Sequence, residues 1–241
     1  MNFFNNKKIL ILGSTGFTGT WLSLFLLLLN AKVYGISLKE KKNKFFNYLS
    51  LRNKITQYYF NILNEKKLKK IIINIKPDII IHLASQSLVG EAYKNPKKTI
   101  ETNILGLTNL LEILKNNSLR KRISVLIATS DKCYIPSNKK LSEKAPLGGN
   151  EIYSISKATQ ELITYGYYKT YLKKKDIIIT TCRAGNIIGP GDYNYGRLIP
   201  DILNSIFRKK RLIIRNNSNS RPWQSILFCC YHYLLILEFL K

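Results

Sequence analysis

The sequence predicts an α/β fold, a doubly wound parallel sheet with a small C-terminal portion, on three observations. A short apolar run, Lys8 to Leu12, leads directly into a glycine-rich turn and then an apolar segment, Trp21 to Leu29. Further apolar runs of strand length alternate with segments of helical period, the order that builds a parallel sheet with helices on both faces. The residues with chemical potential fall at the C-terminal ends of those runs, where open parallel sheets place their ligands.

The elements follow in order. Lys8 to Leu12 (K-I-L-I-L) is apolar without alternation, as suits a strand buried on both faces. Gly13-Ser14-Thr15-Gly16-Phe17-Thr18-Gly19 then makes a turn in which glycines allow close backbone approach to a pyrophosphate resting on the next helix. The spacing is G-x-x-G-x-x-G, and the strand before it and helix after it favour a dinucleotide site over an ordinary turn. Lys32 to Ser37 is the second strand. An acidic residue after it would hold the ribose of NAD, but Ser37, Leu38 and Lys39 stand there with Glu40 beyond, so this turn leaves NAD and NADP both open.

Lys66 to Ile75 reads as a basic helix with one apolar side, ended by Pro77-Asp78. Ile79 to Ala84 is a buried strand, with Leu83 to Gln86 at its end. Thr99 to Leu114 carries Ile100, Ile104, Leu107, Leu111 and Leu114 at helical spacing. Ser124 to Thr129 is a strand followed at once by Ser130-Asp131-Lys132. Glu151 to Leu172 is a helix, Asp176 to Cys182 a further strand, and Arg183 to Asn186 its end.

Tyr153 and Lys157 are four apart on that helix and share a face. An ammonium near a phenol stabilises the phenolate, so the pair is a candidate general base for a hydroxyl group. Alone the spacing is weak; its weight comes from the glycine turn and the shared strand-end placement.

At 241 residues the chain can bury a full core. It carries 39 Lys and Arg against 14 Asp and Glu, a net charge of +25. The basic residues occur in every region without a stripe of interleaved aromatics, so biased composition, not a nucleic-acid face, is the preferred reading. Cys133, Cys182, Cys229 and Cys230 lack metal-ligand spacing and read as free thiols in a reducing, cytoplasmic setting. Leu22 to Leu29 and Ser225 to Leu240 are too short to span a bilayer.

The motifs G-S-T-G-F-T-G, L-A-S-Q, E-T-N, S-D-K-C-Y, Y-S-I-S-K and R-A-G-N-I-I-G-P-G-D together resemble the extended short-chain dehydrogenase/reductase family. Within it, G-F-T-G-T-W-L-S, Ser130 to Tyr134, Pro146 to Gly149, Arg197 to Asp201 and Arg221 to Gln224 resemble the branch of nucleotide-sugar 4,6-dehydratases that takes CDP-glucose. The resemblance runs from about Lys7 to Gln224. It implies a Rossmann-like NAD-binding domain with the catalytic residues over 1–185 and a partial nucleotide-sugar-binding domain over 186–241.

It further implies that Tyr153 takes a proton from the sugar C4 hydroxyl, that Lys157 lowers the Tyr153 pKa and binds the nicotinamide ribose, and that Ser130 holds the C4 oxygen. Asp131 would be the acid at C6. Lys132 stands where relatives place the Glu that acts at C5, and a lysine can act as a base only if its pKa is depressed. Gly13, Thr15, Gly16, Phe17 and Gly19 would line the cofactor, with Asn61 and Ile62 at the adenine. Leu83, Ala84 and Gln86 would lie beside cofactor or sugar, Asn103 would support the strand ends, and Arg183 would complete the cofactor set. Gln86, Ser130, Asn186, Arg197, Leu198 and Arg221 would contact the substrate.

No metal, nucleic acid or membrane is implied, and the family's pairing through helices such as 99–114 and 151–172 implies a homodimer. Two departures stand out. Asn61 replaces an acid, and Ser225 to Cys230 replaces the pattern that continues the sugar-nucleotide domain. An incomplete pocket and an exposed apolar tail, Leu234 to Leu240, are therefore expected. The competing readings are a relative that binds dinucleotide without chemistry and an epimerase of the same family.

Overall fold

Parallel strands must be joined by crossovers, and this chain supplies them as helices. The computed structural model describes residues 2–39, 44–116, 121–214 and 220–240. Glu40 lies outside the described residues. The strands are β1 (Lys8–Leu12), β2 (Lys32–Ser37), β3 (Thr56–Tyr59), β4 (Ile79–His82), β5 (Ile123–Ala128) and β6 (Ile177–Cys182). They form one parallel sheet in the order β3-β2-β1-β4-β5-β6, so the order reverses between β1 and β4. That reversal opens a crevice at the strands' C-terminal ends, where the glycine turn lies.

The helices are α1 (Phe17–Leu28), α2 (Lys44–Tyr48), α3 (Glu65–Ile75), α4 (Val89–Lys94), α5 (Pro96–Ile100), α6 (Gly106–Lys115), α7 (Ile152–Tyr167), α8 (Leu198–Phe207) and α9 (Ile226–Phe239). Alternate strand residues serve the two faces. Ile9, Ile11, Ile79 and Ile81 pack with Leu22 and Leu26 of α1, while Leu10, Leu12, Ile80, Val125 and Ile127 pack with α3 and α6. Between α5 and α6 the helix widens into a π turn, Glu101–Leu105, which lets the fully buried Asn103 turn inward.

The C-terminal region departs from expectation. A second, two-stranded parallel sheet joins β7 (Asn186–Ile188) to β8 (Trp223–Ser225). The chain then returns to the main core: Ile226, Cys229, Cys230, Tyr233, Leu234 and Leu237 of α9 are buried with β1 and α1. The expected boundary at 186 therefore does not separate two cores. The expected exposed tail is corrected as well, since α9 covers the sheet face beside α1. Its apolar residues run round the whole helix, leaving Leu227, Phe228, Tyr231 and Phe239 exposed.

Among the described residues no helix is long and apolar enough to cross a membrane, and no group of His, Cys, Asp and Glu is arranged to hold a metal.

Candidate active site

The glycine turn is built by close approach. Gly13 has φ +93°, a left-handed conformation, and a Cβ there would lie 2.9 Å from the Ala84 backbone nitrogen. A Cβ on Gly19 would lie 2.2 Å from the Gly13 carbonyl. The first turn of α1 therefore sits directly against the turn after β1. Gly16 precedes α1 without a side-chain cap, so the helix N-terminus faces outward unblocked by its own residues. Thr15 is buried in the turn and Phe17 is half-buried at the helix start. Leu83 and Ala84 lie beside this cradle, the Leu83 amide donating to the Leu12 carbonyl at 2.8 Å.

A polar brace unmarked by any motif sits beneath it. Ser14 Oγ donates to Gln57 Oε1 at 2.8 Å, and Gln57 Nε2 donates to Ser37 Oγ at 3.0 Å. Asn61 follows β3, its side chain accepting from the Leu63 amide, and Ile62 is buried against α6.

Asn103 is the hub between β4 and α7. Its Oδ1 accepts from Ser85 Oγ and the Gln86 amide, and its Nδ2 donates to the Gln86 carbonyl and to Ser156 Oγ. These bonds tie the segment after β4 to α7, with every amide group engaged inside the protein. Gln86 is similarly spent. Its Nε2 donates to Leu88 O and Thr99 Oγ1, and its Oε1 accepts from the Leu88 amide at 2.6 Å. The local loop thus supplies partners for the side-chain amide of Gln86, which was expected beside cofactor or sugar.

Tyr153 and Lys157 share one face of α7, and both are buried. The helix begins cleanly because Glu151 accepts from the Tyr153 and Ser154 amides. Two cations lie near the Tyr153 ring, Lys157 Nζ and Lys132 Nζ, each 5.9 Å from its centroid. The expected depression of the phenol is not found. Burial pushes the Tyr153 phenol up to about 12, outweighing the Ser130 hydrogen bond and the Arg197 charge that favour the phenolate. Lys157 stands off because its Nζ donates to Ala128 O at 3.2 Å and Gln160 Oε1 at 3.0 Å. Its own pKa is lowered to about 8 by burial, against the opposing pull of Glu161.

The turn after β5 faces this pair. Ser130 Oγ donates to Asp131 Oδ1 at 2.9 Å, and the Asp131 amide donates to Ala184 O at 3.0 Å. Burial and the charge of Arg221 lower the Lys132 pKa, which brings a lysine toward use as a base.

Arg197 immediately precedes α8. It donates to Asp192 Oδ2 at 3.0 Å and to Ser87 Oγ at 2.9 Å, and its charge reaches Tyr153. Arg221 is exposed, and its charge reaches Lys132. Leu198 is exposed at the start of α8, and Asn186 opens β7, its amide donating to Pro222 O at 3.0 Å. Lys132 and Arg197 thus bring positive charge toward Tyr153, and Arg221 toward Lys132.

Arg183, expected in the cofactor set, makes a dense set of contacts within the protein. Its guanidinium donates to Glu161 Oε2 at 2.9 Å, to Tyr134 OH at 2.9 Å and to Glu143 O at 2.9 Å, which uses its reach inside the protein. Glu161 was signalled only by its place four residues after Lys157.

His82 ends β4 wholly buried, and neither ring nitrogen has a hydrogen-bond partner among the described residues. Burial, aided by the Lys157 charge, pushes its pKa down to about 3 from 6.5. The unfolded chain therefore binds a proton that the folded chain refuses between those values, so stability falls as pH drops below 6.5. The slope from this group approaches about 1.4 kcal/mol per pH unit. Denaturant titrations across that window are expected to show His82→Leu flattening the slope; an unchanged slope would contradict the assignment.

The family described as GDP-mannose 4,6 dehydratase matches residues 10–238. The CDP-glucose 4,6-dehydratase of Salmonella typhimurium is 35% identical, the match covering 98% of this chain and 68% of that one. Among solved structures, the epimerase Mth375 of Methanothermobacter thermautotrophicus superposes with a TM-score of 0.85 at 20% identity, over 98% of this chain and 69% of that one. The dTDP-glucose 4,6-dehydratase of Bacillus anthracis, solved in complex with NAD, superposes with a TM-score of 0.81 at 23% identity, over 98% and 73%. The chain spans about two thirds of the length of each.

Proposed function

Because the chain belongs to the GDP-mannose 4,6-dehydratase family within the extended short-chain dehydrogenases/reductases, we propose that it is an NAD-dependent nucleotide-sugar 4,6-dehydratase acting on CDP-glucose. The observation that carries this reading is the convergence of Tyr153, Ser130, Asp131 and Lys132 at the same end of the sheet as the glycine turn, with a lysine, not a second acid, after Asp131.

NAD fits the residues present. At Gly13 and Gly19 a Cβ would strike neighbouring backbone, so only glycines let α1 sit this close to the turn after β1, the arrangement a pyrophosphate site uses. Thr15 and Phe17 border that turn; Asn61 and Ile62 would hold the adenine end, and Tyr153 and Lys157 the nicotinamide end. When bound, NAD would supply a reversible hydride acceptor for the sugar.

The protein's own groups handle the protons. Tyr153 starts as a phenol, and Ser130, hydrogen-bonded to it, steadies the oxygen it acts on. Lys157, one turn along α7, supplies the charge that favours ionisation once it moves closer than its present hold on Ala128 and Gln160. Lys132 is the base for the proton at C5, acidified by the neighbouring ketone, and its depressed pKa suits that task. Asp131 delivers a proton to the C6 hydroxyl, which leaves as water. Arg197 and Arg221 supply charge for the diphosphate, with Asn186 and Leu198 at the same side.

The epimerase reading draws on the structural neighbour Mth375; that chemistry needs no acid at C6. Mass spectrometry of CDP-glucose, dTDP-glucose, UDP-glucose and GDP-mannose, each incubated with the protein and NAD, tests the choice. Loss of one water from CDP-glucose first is the expected result. Preference for another nucleotide would overturn the substrate, and an isomer of unchanged mass would overturn the dehydratase.

The same reading includes a homodimer through α5 to α7, where Ile100, Leu105, Ile155 and Leu162 are exposed. Light scattering is expected to give twice the chain mass, and Leu162→Glu to give a monomer.

A further inference from the structure

We infer that Glu161 is a positioning residue for the reaction: its buried carboxylate holds both ends of the Ser130–Cys133 turn in register with Tyr153 and Lys157 on α7. The inference rests on the proposed dehydratase reading for its catalytic consequence, and on geometry alone for the positioning.

Glu161 follows Lys157 by one helical turn and Tyr153 by two, so α7 presents all three on one face. Its side chain is only 5% exposed. Oε1 accepts from Thr129 Oγ1, the residue just before Ser130. Oε2 accepts from Thr181 Oγ1 of β6 at 2.7 Å and from Arg183 at 2.9 Å. Arg183 in turn donates to the hydroxyl of Tyr134, the residue just after Cys133, at 2.9 Å, and its guanidinium lies 4.9 Å from that ring. The turn bearing Ser130, Asp131 and Lys132 is therefore gripped in front by Thr129 and behind by Tyr134, and both grips end on one carboxylate.

A buried ion pair is a costly way to fill space, and apolar side chains of similar volume serve stability as well or better. What it adds is register. Thr129 and Thr181 sit at the ends of adjacent strands, and the carboxylate accepts from both while meeting the guanidinium. An apolar group fills the volume but fixes none of these directions. Misplacing a catalytic group by about 1 Å costs about 10²-fold in rate, so a turn freed from this grip is a kinetic defect before it is a folding one.

The test is Glu161→Gln, which keeps shape and loses the charge, read by crystal structure and by kinetics. The expected structure shows residues 130–133 displaced relative to α7 with the glycine cradle unchanged. The expected kinetics show kcat down about 10²-fold with KM and NAD affinity within about twofold. The double variant Glu161→Gln/Arg183→Gln is expected to be no slower than Glu161→Gln, because the two act as one unit.

A turn that superposes on wild type would overturn the inference whether or not the enzyme turns over. Unchanged kcat, or a loss confined to KM, would also overturn it. Wild-type protein inactive on every sugar nucleotide would refute the proposed function, while a displaced turn in the variant would still support the positioning. If Glu161→Gln does not fold, Tyr134→Phe removes one hydrogen bond from the rear grip alone. It is expected to lower kcat several-fold at unchanged NAD affinity, and wild-type kcat there would overturn the inference.

Discussion

Tyr153→Phe is expected to lower turnover about 10²- to 10⁴-fold, the range for losing a general base, while leaving NAD affinity unchanged. The substitution removes one oxygen from a ring that is itself buried, with two lysine ammonium groups 5.9 Å from its centroid. Among the described residues Ser130 loses this partner and keeps its bond to Asp131. The loss should therefore fall on kcat and spare both binding steps. The phenol stands at about 12 because it is buried, so wild-type turnover should rise with pH above neutrality, as Tyr153 and Lys132 lose protons more readily. Steady-state kinetics together with a cofactor titration checks both halves. Retained turnover would remove Tyr153 from the reaction.

Gly19→Ala is expected to have the second largest effect, on binding and stability together. The added Cβ would meet the Gly13 carbonyl at 2.2 Å and Ser14 backbone atoms at 2.9 Å. All of these are backbone, so relief requires α1 to move away from the turn after β1. Forcing volume into such a contact costs about 1–3 kcal/mol. The displaced helix N-terminus should weaken NAD by tenfold or more, equivalent to about 1.4 kcal/mol. Gly166 is the internal control, because a Cβ there meets nothing within 4 Å. Gly166→Ala on α7 should stabilise by about 0.5–1 kcal/mol. Thermal melts and NAD titrations of the two variants separate the close-approach argument from a general effect of losing glycine.

Much of the sheet was legible because its signals are local. The unbroken apolar runs, the glycine turn and the helical period of 99–114 each specify an element without reference to the rest of the chain. Five strands fell within a residue or two of their observed limits, and the shared placement of the glycine turn and Ser130–Lys132 at strand ends followed from topology. The side-chain partners were not legible. Arg183 and Gln86 have the chemistry of ligand-binding residues, and only the folded chain shows that Glu161 and Thr99 are their partners within the protein. The Tyr153 phenol illustrates the same limit. Spacing puts Lys157 on its face of the helix, but the Ala128 carbonyl and Gln160 hold the ammonium back while burial acts unopposed by it. The fate of α9 was hidden for another reason. A helix apolar on every side has no face that declares which way it turns, so its burial against α1 could not be read from periodicity.

The central claim is that the sugar is oxidised at C4, loses water across C5 and C6, and is reduced at C6. CDP-glucose deuterated at C4 tests it most directly, with the product read by mass spectrometry and NMR after incubation with the protein and NAD. The account predicts a product lighter by one water that carries the deuterium at C6. Deuterium retained at C4 in an isomer of unchanged mass would contradict the account and identify an epimerase.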